Sequence, residues 1–207
     1  MKDWSAGGGE VRPRAIVTVA SAGTDAQVAA HRAKTRTPAS LRAIVFAVSG
    51  SFMSLASVRA FFAERSPDIA VVELDTRTAT VAEAAVAHGV DPAQIAKTLS
   101  LRVGDQVVLV VTRGDVRLDN RKAKAVLGGK VRMLDLDAVE AITGHPVGGV
   151  CPFGLAAPLR IYCDVSLKAF DAVVPAAGSA CSAVRIAPER MAALTGATWV
   201  DVCQAPG

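Results

Sequence analysis

The sequence predicts an α/β fold with a mixed, largely antiparallel sheet and inserted helices. Three observations support this. Short β-branched runs alternate with helix-capping signals from residue 69 onward, a Gly104-Asp105 turn joins two of the runs, and no internal repeat interrupts the alternation. Of the 207 residues, 51% are hydrophobic and 20% are charged. The chain can therefore bury a core, which excludes wholesale disorder.

Capping residues mark the predicted helices. Ser54 can cap a helix that stops before Ser66-Pro67. The other predicted helices are, in chain order, one opened by the capping box Thr80–Glu83 and ended at His88-Gly89, a brief one after Asp91-Pro92, a basic one from Asp119 to Gly128-Gly129, one from Asp135 to Thr143, and one from Pro188 to Leu194 closed by Gly196.

Runs of apolar and β-branched residues between these helices predict the strands. They are Ile69–Leu74, Lys97–Val103, Val107–Val111, Val131–Leu134, Leu159–Cys163, Ala172–Val174, Ser182–Ile186 and Thr198–Val202. The second and third runs are expected to form a hairpin around Gly104-Asp105. A Gly/Pro-rich loop is expected from His145 to Pro158.

The composition divides the chain into two parts. Residues 1–52 carry seven Lys/Arg against three acids, which accounts for the whole net charge of +4. They show no clear hydrophobic period, so we expect a disordered leader or a start codon assigned too far upstream. Residues 53–207 are expected to form one domain, and a chain that begins at Met53 is expected to fold by itself.

Composition also excludes several classes of protein. Aromatic residues are 4% of the chain, with Tyr162 as the sole tyrosine, which argues against a protein that binds nucleic acid mainly by base stacking. No apolar run approaches the ~20 residues of a membrane-spanning helix. The motifs of serine hydrolases, P-loop proteins, zinc proteases and dinucleotide-binding proteins are absent. We therefore expect no cofactor and no membrane partner.

The four cysteines are Cys151, Cys163, Cys181 and Cys203. None belongs to a C-x-x-C pair, so the usual zinc and redox spacings are absent. Three of them lie in apolar, strand-like runs, and no convincing secretory signal precedes them. Free thiols in a reducing cytoplasm, with no bound metal, are the expectation.

Two segments carry residues suited to chemistry. Lys97 lies in an apolar run, where a lysine usually extends to the surface but can also offer its charge to a phosphate or hydroxyl. The segment Gly148–Gly154 concentrates glycines, whose backbone a ligand can approach closely, although ordinary loops have similar sequences. Cys151 as a nucleophile with His145 as its base is a weaker hypothesis, because no third partner is suggested by the spacing.

These segments carry a resemblance. Gln94-Ile95-Ala96-Lys97-Thr98-Leu99, then Gly148–Gly154, then Ala176-Ala177-Gly178-Ser179 with Val184-Arg185-Ile186, occur in this order. The ordered set resembles the YbaK/EbsC family of aminoacyl-tRNA deacylases, which is similar to the inserted editing domain of bacterial prolyl-tRNA synthetase. The resemblance covers about residues 53–207.

The resemblance implies a site. Lys97 matches the family lysine, and the backbone amides around Gly149, Val150 and Cys151 would face the ester, so these four residues are the expected catalytic set. The residues expected to bind the substrate are Thr98, Gly148, Pro152, Phe153, Asp164, Gly178 and Ser179. Family members are not known to use a nucleophile at the position of Cys151. An aminoacyl ester is already activated, so its hydrolysis needs a positioned water and a stabilised oxyanion rather than a catalytic triad.

The resemblance also implies an activity and partners. The expected activity is hydrolysis of mischarged aminoacyl-tRNA for translation fidelity, with Ala-tRNA(Pro) as the substrate. A Cys-tRNA(Pro) deacylase and a non-catalytic tRNA-binding module are the alternatives. Prolyl-tRNA synthetase is a further candidate partner. A basic segment supports contact with tRNA phosphates through Arg117, Arg121, Lys122 and Lys124, although such charge runs are commonly solvated helix faces.

Overall fold

The computed structural model describes residues 54–78 and 80–204. The expectations for the leader, residues 1–52, and for Met53 lie outside this part of the chain. Helix α1 is described over residues 54–65. The other helices are α2 (Val81–His88), α3 (Asn120–Leu127), α4 (Leu136–Thr143) and α5 (Pro188–Thr195), with single 3₁₀ turns at Pro92–Gln94 and Val165–Ala169.

The strands are β1 (Val72–Glu73), β2 (Ile95–Val103), β3 (Gln106–Arg113), β4 (Val131–Met133), β5 (Arg160–Asp164), β6 (Val174–Pro175), β7 (Ser182–Ala183) and β8 (Thr198–Val200). The main sheet has the order β4-β2-β3-β5-β8, with β6 also paired to β2. β1 and β7 form a separate two-stranded antiparallel sheet. The predicted mixed α/β fold is confirmed.

The predicted hairpin of β2 and β3 is confirmed, with Val103 opposite Gln106 across the Gly104-Asp105 turn. β4 is also antiparallel to β2, whereas β6, β5 and β8 join the sheet in parallel pairings. Several predicted strands are shorter in the structure than expected, and two of them shorten most. Ile69–Leu74 reduces to β1 and Ser182–Ile186 to β7, because Ile186 meets Val173 only through an isolated bridge.

Two apolar clusters hold the sheet between helices. One contains Leu109, Val111 and Cys163 of the sheet together with Val58 and Phe62 of α1 and Met191 of α5. The other contains Leu101, Val108 and Val110 with Ala123 of α3. Because side chains alternate along a strand, neighbouring residues of β2 and β3 serve opposite clusters. The central part of the sheet is therefore buried on both faces, so a ligand is expected where a strand edge or a strand end is left uncovered.

Candidate functional site

An open stretch along one edge of β2 forms a wall of a cavity. On this edge β6 pairs with the first two residues of β2, and β4 pairs with its last three. The carbonyl of Ser100 faces this edge, since it accepts from the N–H of Leu134 at 2.9 Å. Backbone groups alternate between the two edges along a strand, so the N–H and C=O of Thr98 face the same side. No strand of the described chain pairs with Thr98 on this edge, so a ligand can bind its N–H and C=O groups.

The cavity beside this opening has a volume of about 250 Å³. It suits a small group, or the end of a larger ligand, rather than a whole nucleotide. Its lining is mainly apolar and includes Ile95, Val150, Val174, Ala176 and Ala183. Its mouth carries three large apolar side chains that are exposed, from Met133, Leu136 and Val147.

Two hydroxyl groups in the cavity wall lack protein partners. Thr98 and Ser100 lie two residues apart on β2, so their side chains leave the strand on the same face, and both residues line the cavity. The oxygen atoms of both hydroxyls are buried and make no hydrogen bond within the described residues. An unsatisfied buried hydroxyl costs about 1–3 kcal/mol, so these groups are better suited to a ligand or a water molecule than to the fold alone.

The loop of Gly148–Val150 supplies backbone amides to the same cavity. Gly148 and Val150 line it, and Gly148 can do so only with its backbone. Within the described residues neither N–H donates to a protein acceptor. The N–H of Gly149 donates to the carbonyl of Pro146 at 2.9 Å, so this predicted donor is used inside the turn.

A second turn, Ala177–Ser179, holds that loop in place. The N–H of Gly178 donates to the carbonyl of Gly149 at 3.1 Å. A Cβ atom on Gly149 would lie 2.6 Å from the Cα of Ser179, so only glycine allows this approach. Ser179 lines the cavity, as predicted for a substrate-binding residue, and its hydroxyl donates to that of Ser182 at 2.8 Å.

His145 is fully buried and joins α1 to the loop. Its Nε2 lies 2.8 Å from the carbonyl of Phe153, which can only accept, so Nε2 carries the hydrogen. Its Nδ1 then accepts from the hydroxyl of Ser54. Burial lowers the pKa of His145, an effect that the Phe153 carbonyl opposes. The imidazole is therefore a neutral structural link.

Cys151 has no features of a nucleophile. It is fully buried and does not line the cavity. Burial raises the pKa of its thiol to about 12, so the reactive thiolate is not populated near neutral pH. Its sulfur lies 3.7 Å from Nε2 of His145, but that nitrogen carries a hydrogen and cannot accept the thiol proton. The Cys–His hypothesis therefore finds no support in the geometry.

Lys97 is held by backbone carbonyls. Its side chain leaves β2 on the face opposite Thr98, and its ammonium group donates to the carbonyls of Gly114, at 3.0 Å, and Val116. Burial lowers the pKa of Lys97. Lys97 also lines the cavity. Its bonds to the two carbonyls tie this part of β2 to the segment after β3. Two of its three N–H donors are used in this way.

Four predicted substrate-binding residues do not line the cavity. One is Gly178, whose N–H instead donates to the carbonyl of Gly149, and the others are Pro152, Phe153 and Asp164. Pro152 is buried, and Phe153 is fully buried against Phe61 and Phe62, with ring centroids 5.6 and 4.7 Å away. Asp164 is buried, and its carboxylate accepts from the backbone N–H groups of Ser166, Val202 and Cys203. Pro152 and Phe153 therefore pack the loop against the core, whereas Asp164, the last residue of β5, anchors the segment after β8.

The four predicted tRNA-binding residues differ in their surroundings. Arg117, Arg121 and Lys124 are exposed. Lys122 donates to the carboxylate of Asp201 at 2.8 Å and to the carbonyl of Cys203 at 3.0 Å. Its charge is therefore compensated, whereas the other three charges remain available at the surface.

Sequence reasoning missed Ser100 and the link between His145 and Ser54. The two-residue period of β2 places Ser100 on the face of Thr98, and this signal could have been used. The link from His145 to Ser54 spans 91 residues, and no local pattern predicts it.

Among the described residues no cluster of His, Cys, Asp and Glu is arranged to hold a metal ion. In the same part of the chain no helix combines the length and apolarity needed to cross a bilayer.

Comparison with known proteins gives a consistent result. The model of the aminoacyl-tRNA editing domain family matches residues 75–194. The uncharacterized protein YwhH of Bacillus subtilis is 46% identical over 154 residues, which is 73% of this chain and 98% of YwhH. The matched regions contain the β2 segment, the loop of Gly148–Val150 and the Ala177–Ser179 turn.

Two further relatives have names that refer to tRNA. EbsC of Enterococcus faecalis, provisionally named a Cys-tRNA(Pro)/Cys-tRNA(Cys) deacylase, is 32% identical over 117 residues, 55% of this chain and 71% of EbsC. A proline–tRNA ligase of Citrifermentans bemidjiense is 34% identical over 102 residues, 49% of this chain but 18% of the ligase. The match to the ligase is thus confined to a small part of it.

A solved structure confirms the fold. The crystal structure of a protein provisionally described as a trans-editing enzyme for prolyl-tRNA synthetase has 34% sequence identity and a TM-score of 0.69. The match covers 73% of this chain and 98% of that protein.

Proposed function

Because the chain belongs to the aminoacyl-tRNA editing domain family, we propose that it hydrolyses the ester of mischarged aminoacyl-tRNA, with Ala-tRNA(Pro) as its substrate. The observation that carries this proposal is the small cavity at the open edge of β2. There, backbone donors of the Gly148–Val150 loop and two unpartnered hydroxyls surround one apolar space. Such a site can hold an ester without a catalytic triad.

The proposed reaction adds water across the ester bond. The water oxygen bonds to the ester carbonyl carbon, the bond to the ribose oxygen breaks, and a water proton ends on that ribose oxygen. The N–H groups of Gly148 and Val150 are the candidates to stabilise the developing oxyanion, since each is without a protein acceptor in the described chain. The hydroxyls of Thr98 and Ser100 are the candidates to orient the water or the substrate ammonium group.

Lys97 enters the proposal in two ways. Its bonds to two carbonyls fix the open part of β2. Because its side chain leaves β2 on the face opposite Thr98, its remaining N–H is assigned to a ribose or phosphate oxygen outside the cavity, not to the ester inside it. The exposed apolar mouth of Met133, Leu136 and Val147 is suited to the flat face of the terminal adenine. The amino acid would then lie inside the cavity and the nucleotide at its entrance.

Cys-tRNA(Pro) is the second candidate substrate, and the name of the EbsC relative favours it. The side chains of alanine and cysteine differ by one sulfur atom, and an apolar pocket discriminates groups of similar size by only about 1–3 kcal/mol. Prolyl-tRNA synthetase is proposed as the enzyme whose errors are corrected, in line with the description of the structural relative.

The test is single-turnover hydrolysis by the purified chain of Ala-tRNA(Pro), Cys-tRNA(Pro) and Pro-tRNA(Pro). We expect Ala-tRNA(Pro) to be cleaved fastest and Pro-tRNA(Pro) to stay intact. Faster cleavage of Cys-tRNA(Pro) would replace the proposed substrate by the second candidate. Binding of all three tRNAs without hydrolysis would contradict the proposed activity and indicate a non-catalytic tRNA-binding module instead.

A further inference from the structure

A second groove lies next to the cavity and is strongly basic. Its volume is about 590 Å³, and it is bounded by the β2–β3 turn, the segment between α3 and β4, and β4 itself. Arg102, Lys130 and Arg132 line it, against one carboxylate from Asp105. The three cations belong to none of the ion pairs found among the described residues.

The groove contains an unfavourable pair of like charges. Arg102 of β2 lies directly opposite Arg132 of β4 in the antiparallel register. Like charges in directly opposed positions destabilise a sheet, and no described carboxylate forms an ion pair with either arginine to compensate them. An anion between the two guanidinium groups removes this cost.

Protection of a sheet edge explains only part of this charge. β4 is at the edge of the main sheet, and Lys and Arg on edge strands discourage pairing with another chain. That argument applies to Lys130 and Arg132. It does not apply to Arg102, because β2 is paired on both sides.

The groove and the cavity are consecutive along the same two strands. Ser100 and Met133 line the cavity, whereas Arg102 and Arg132 line the groove. Two residues of an antiparallel strand span ~7 Å. One strand of a nucleic acid has a phosphate every ~3.4 Å of helix axis, so the groove lies about one to two nucleotides from the cavity.

From these observations we propose that the groove binds backbone phosphates of the tRNA acceptor strand, just before the aminoacylated end that occupies the cavity. This inference rests on the proposed function. Guanidinium groups bind phosphate oxygens through two parallel hydrogen bonds. Gly104 and Gly128 leave open space along the groove, so the strand can approach the protein backbone closely.

The test compares the wild type with the double variant Arg102→Gln/Arg132→Gln and with the single variant Arg132→Gln. Binding of uncharged tRNA(Pro) is followed by fluorescence anisotropy over a range of salt concentrations. We expect the double variant to bind about tenfold or more weakly. Its slope of log affinity against log salt should be smaller by roughly 1.5, since each lost phosphate contact removes about 0.7–0.9.

The matched control is Arg160→Gln, which removes one exposed positive charge outside both the groove and the cavity. It should leave affinity and slope unchanged. Arg160→Gln and Arg132→Gln each remove one positive charge. If both weaken tRNA binding equally, the effect is one of net charge, and the proposal is overturned. Unchanged tRNA affinity in the double variant would overturn the proposal, and new self-association of that variant would in addition support edge protection.

A truncated tRNA tests the position of the contact. If the last three nucleotides are removed from tRNA(Pro), the wild type and the double variant should bind with equal affinity, because the phosphates over the groove are gone. A persistent difference would place the contact elsewhere on the tRNA and overturn the inference. These measurements use no hydrolysis, so they are independent of the deacylation assay that tests the proposed function.

Discussion

Substitutions at Thr98 and Ser100 should slow the reaction without lowering the stability of the fold. Each buries a hydroxyl without a protein partner, so Thr98→Val and Ser100→Ala remove a cost to the folded state. We expect unchanged or higher thermal stability for both variants. Single-turnover deacylation should slow by roughly three- to tenfold per variant, the value of one ordinary hydrogen bond.

Ser166 provides the matched control, since its hydroxyl is also buried and unpartnered among the described residues but lies outside the cavity. Ser166→Ala should likewise leave the thermal stability unchanged or higher, and it should keep the full rate of deacylation. Wild-type rates for both Thr98→Val and Ser100→Ala would remove these hydroxyls from the proposed mechanism.

Lys97 should show both a structural and a functional effect. Lys97→Ala removes the donor to the carbonyls of Gly114 and Val116, and we expect a loss of about 1–3 kcal/mol in the free energy of unfolding. If its third N–H holds the substrate, single-turnover deacylation falls about ten- to more than a hundredfold. Lys97→Arg should not fully restore the rate, because a planar guanidinium does not fit the two carbonyls in the same way. A folded Lys97→Ala protein with near-wild-type rates would contradict the functional role.

Cys151 is expected to be dispensable for hydrolysis. Its thiol is fully buried with a pKa raised to about 12, so Cys151→Ser removes no reactive thiolate. We expect most of the deacylation rate to remain, and an alkylating reagent to leave the native wild type active. Abolished turnover in a Cys151→Ser protein with a native circular dichroism spectrum would instead restore the nucleophile hypothesis.

At the scale of elements, local chemistry allowed most of the helices to be predicted. The capping box of Thr80 and Glu83 forms as expected, and Asp119 accepts from the N–H groups of Arg121 and Lys122. The C-terminal caps at Gly89, Gly128, Gly144 and Gly196 are all left-handed. Each of these signals lies within four residues of the helix terminus that it caps, so the sequence alone contains it.

The pairing of strands was less predictable because it depends on distant segments. The hairpin of β2 and β3 follows from its two-residue turn, but nothing local indicates that β5 and β8 join in parallel. The opening in the edge of β2 exists only because β4 and β6 both end short of Thr98. The motif of Gly148–Gly154 predicted a candidate site in this loop, but it did not predict which of its residues line the cavity.

The contact between the two turns beside the cavity should be sensitive to one methyl group. A Cβ on Gly149 would lie 2.6–2.8 Å from backbone atoms of Gly178 and Ser179, which cannot rotate away. We expect Gly149→Ala to cost about 1–3 kcal/mol and to slow deacylation more than tenfold, since the neighbouring amides move with the loop. The rate and the thermal midpoint are to be measured on the same preparation.

Gly196→Ala is the control for Gly149→Ala. Gly196 has a φ of 64° with open space around a Cβ, and it caps α5 away from the cavity. Strain in the left-handed region costs about 1–2 kcal/mol, so stability falls to a similar extent while the rate should not change. Equal rates for both variants would show that the position of the Gly149 loop does not control hydrolysis.

At the scale of the whole molecule, a buried polar link joins the loop of the candidate site to helix α1. His145 connects Ser54 of α1 to Phe153, and Phe153 packs in the same apolar cluster as Val58 and Phe62. The cavity loop is therefore fastened to the larger core on one side and to the Ala177–Ser179 turn on the other. Global stability and loop position should respond together when this link is perturbed.

This link predicts how stability depends on pH. Burial holds the pKa of His145 below its ordinary value of about 6.5. Below that pH the unfolded chain takes up a proton that the folded state resists, so the folded state loses stability as the pH falls. The free energy of unfolding should decrease below pH 6.5 by up to about 1.4 kcal/mol per pH unit, until the folded-state pKa is reached.

The measurement is urea unfolding at several pH values between 7.5 and about 5, above the range in which most carboxylates titrate. His145→Gln lowers stability at every pH but should remove most of the slope. His88→Gln is the matched control, because burial also lowers the pKa of His88 but its environment is less enclosed, so the slope should change less. The same pH slope in the wild type and in His145→Gln would show that this imidazole does not resist protonation in the folded protein.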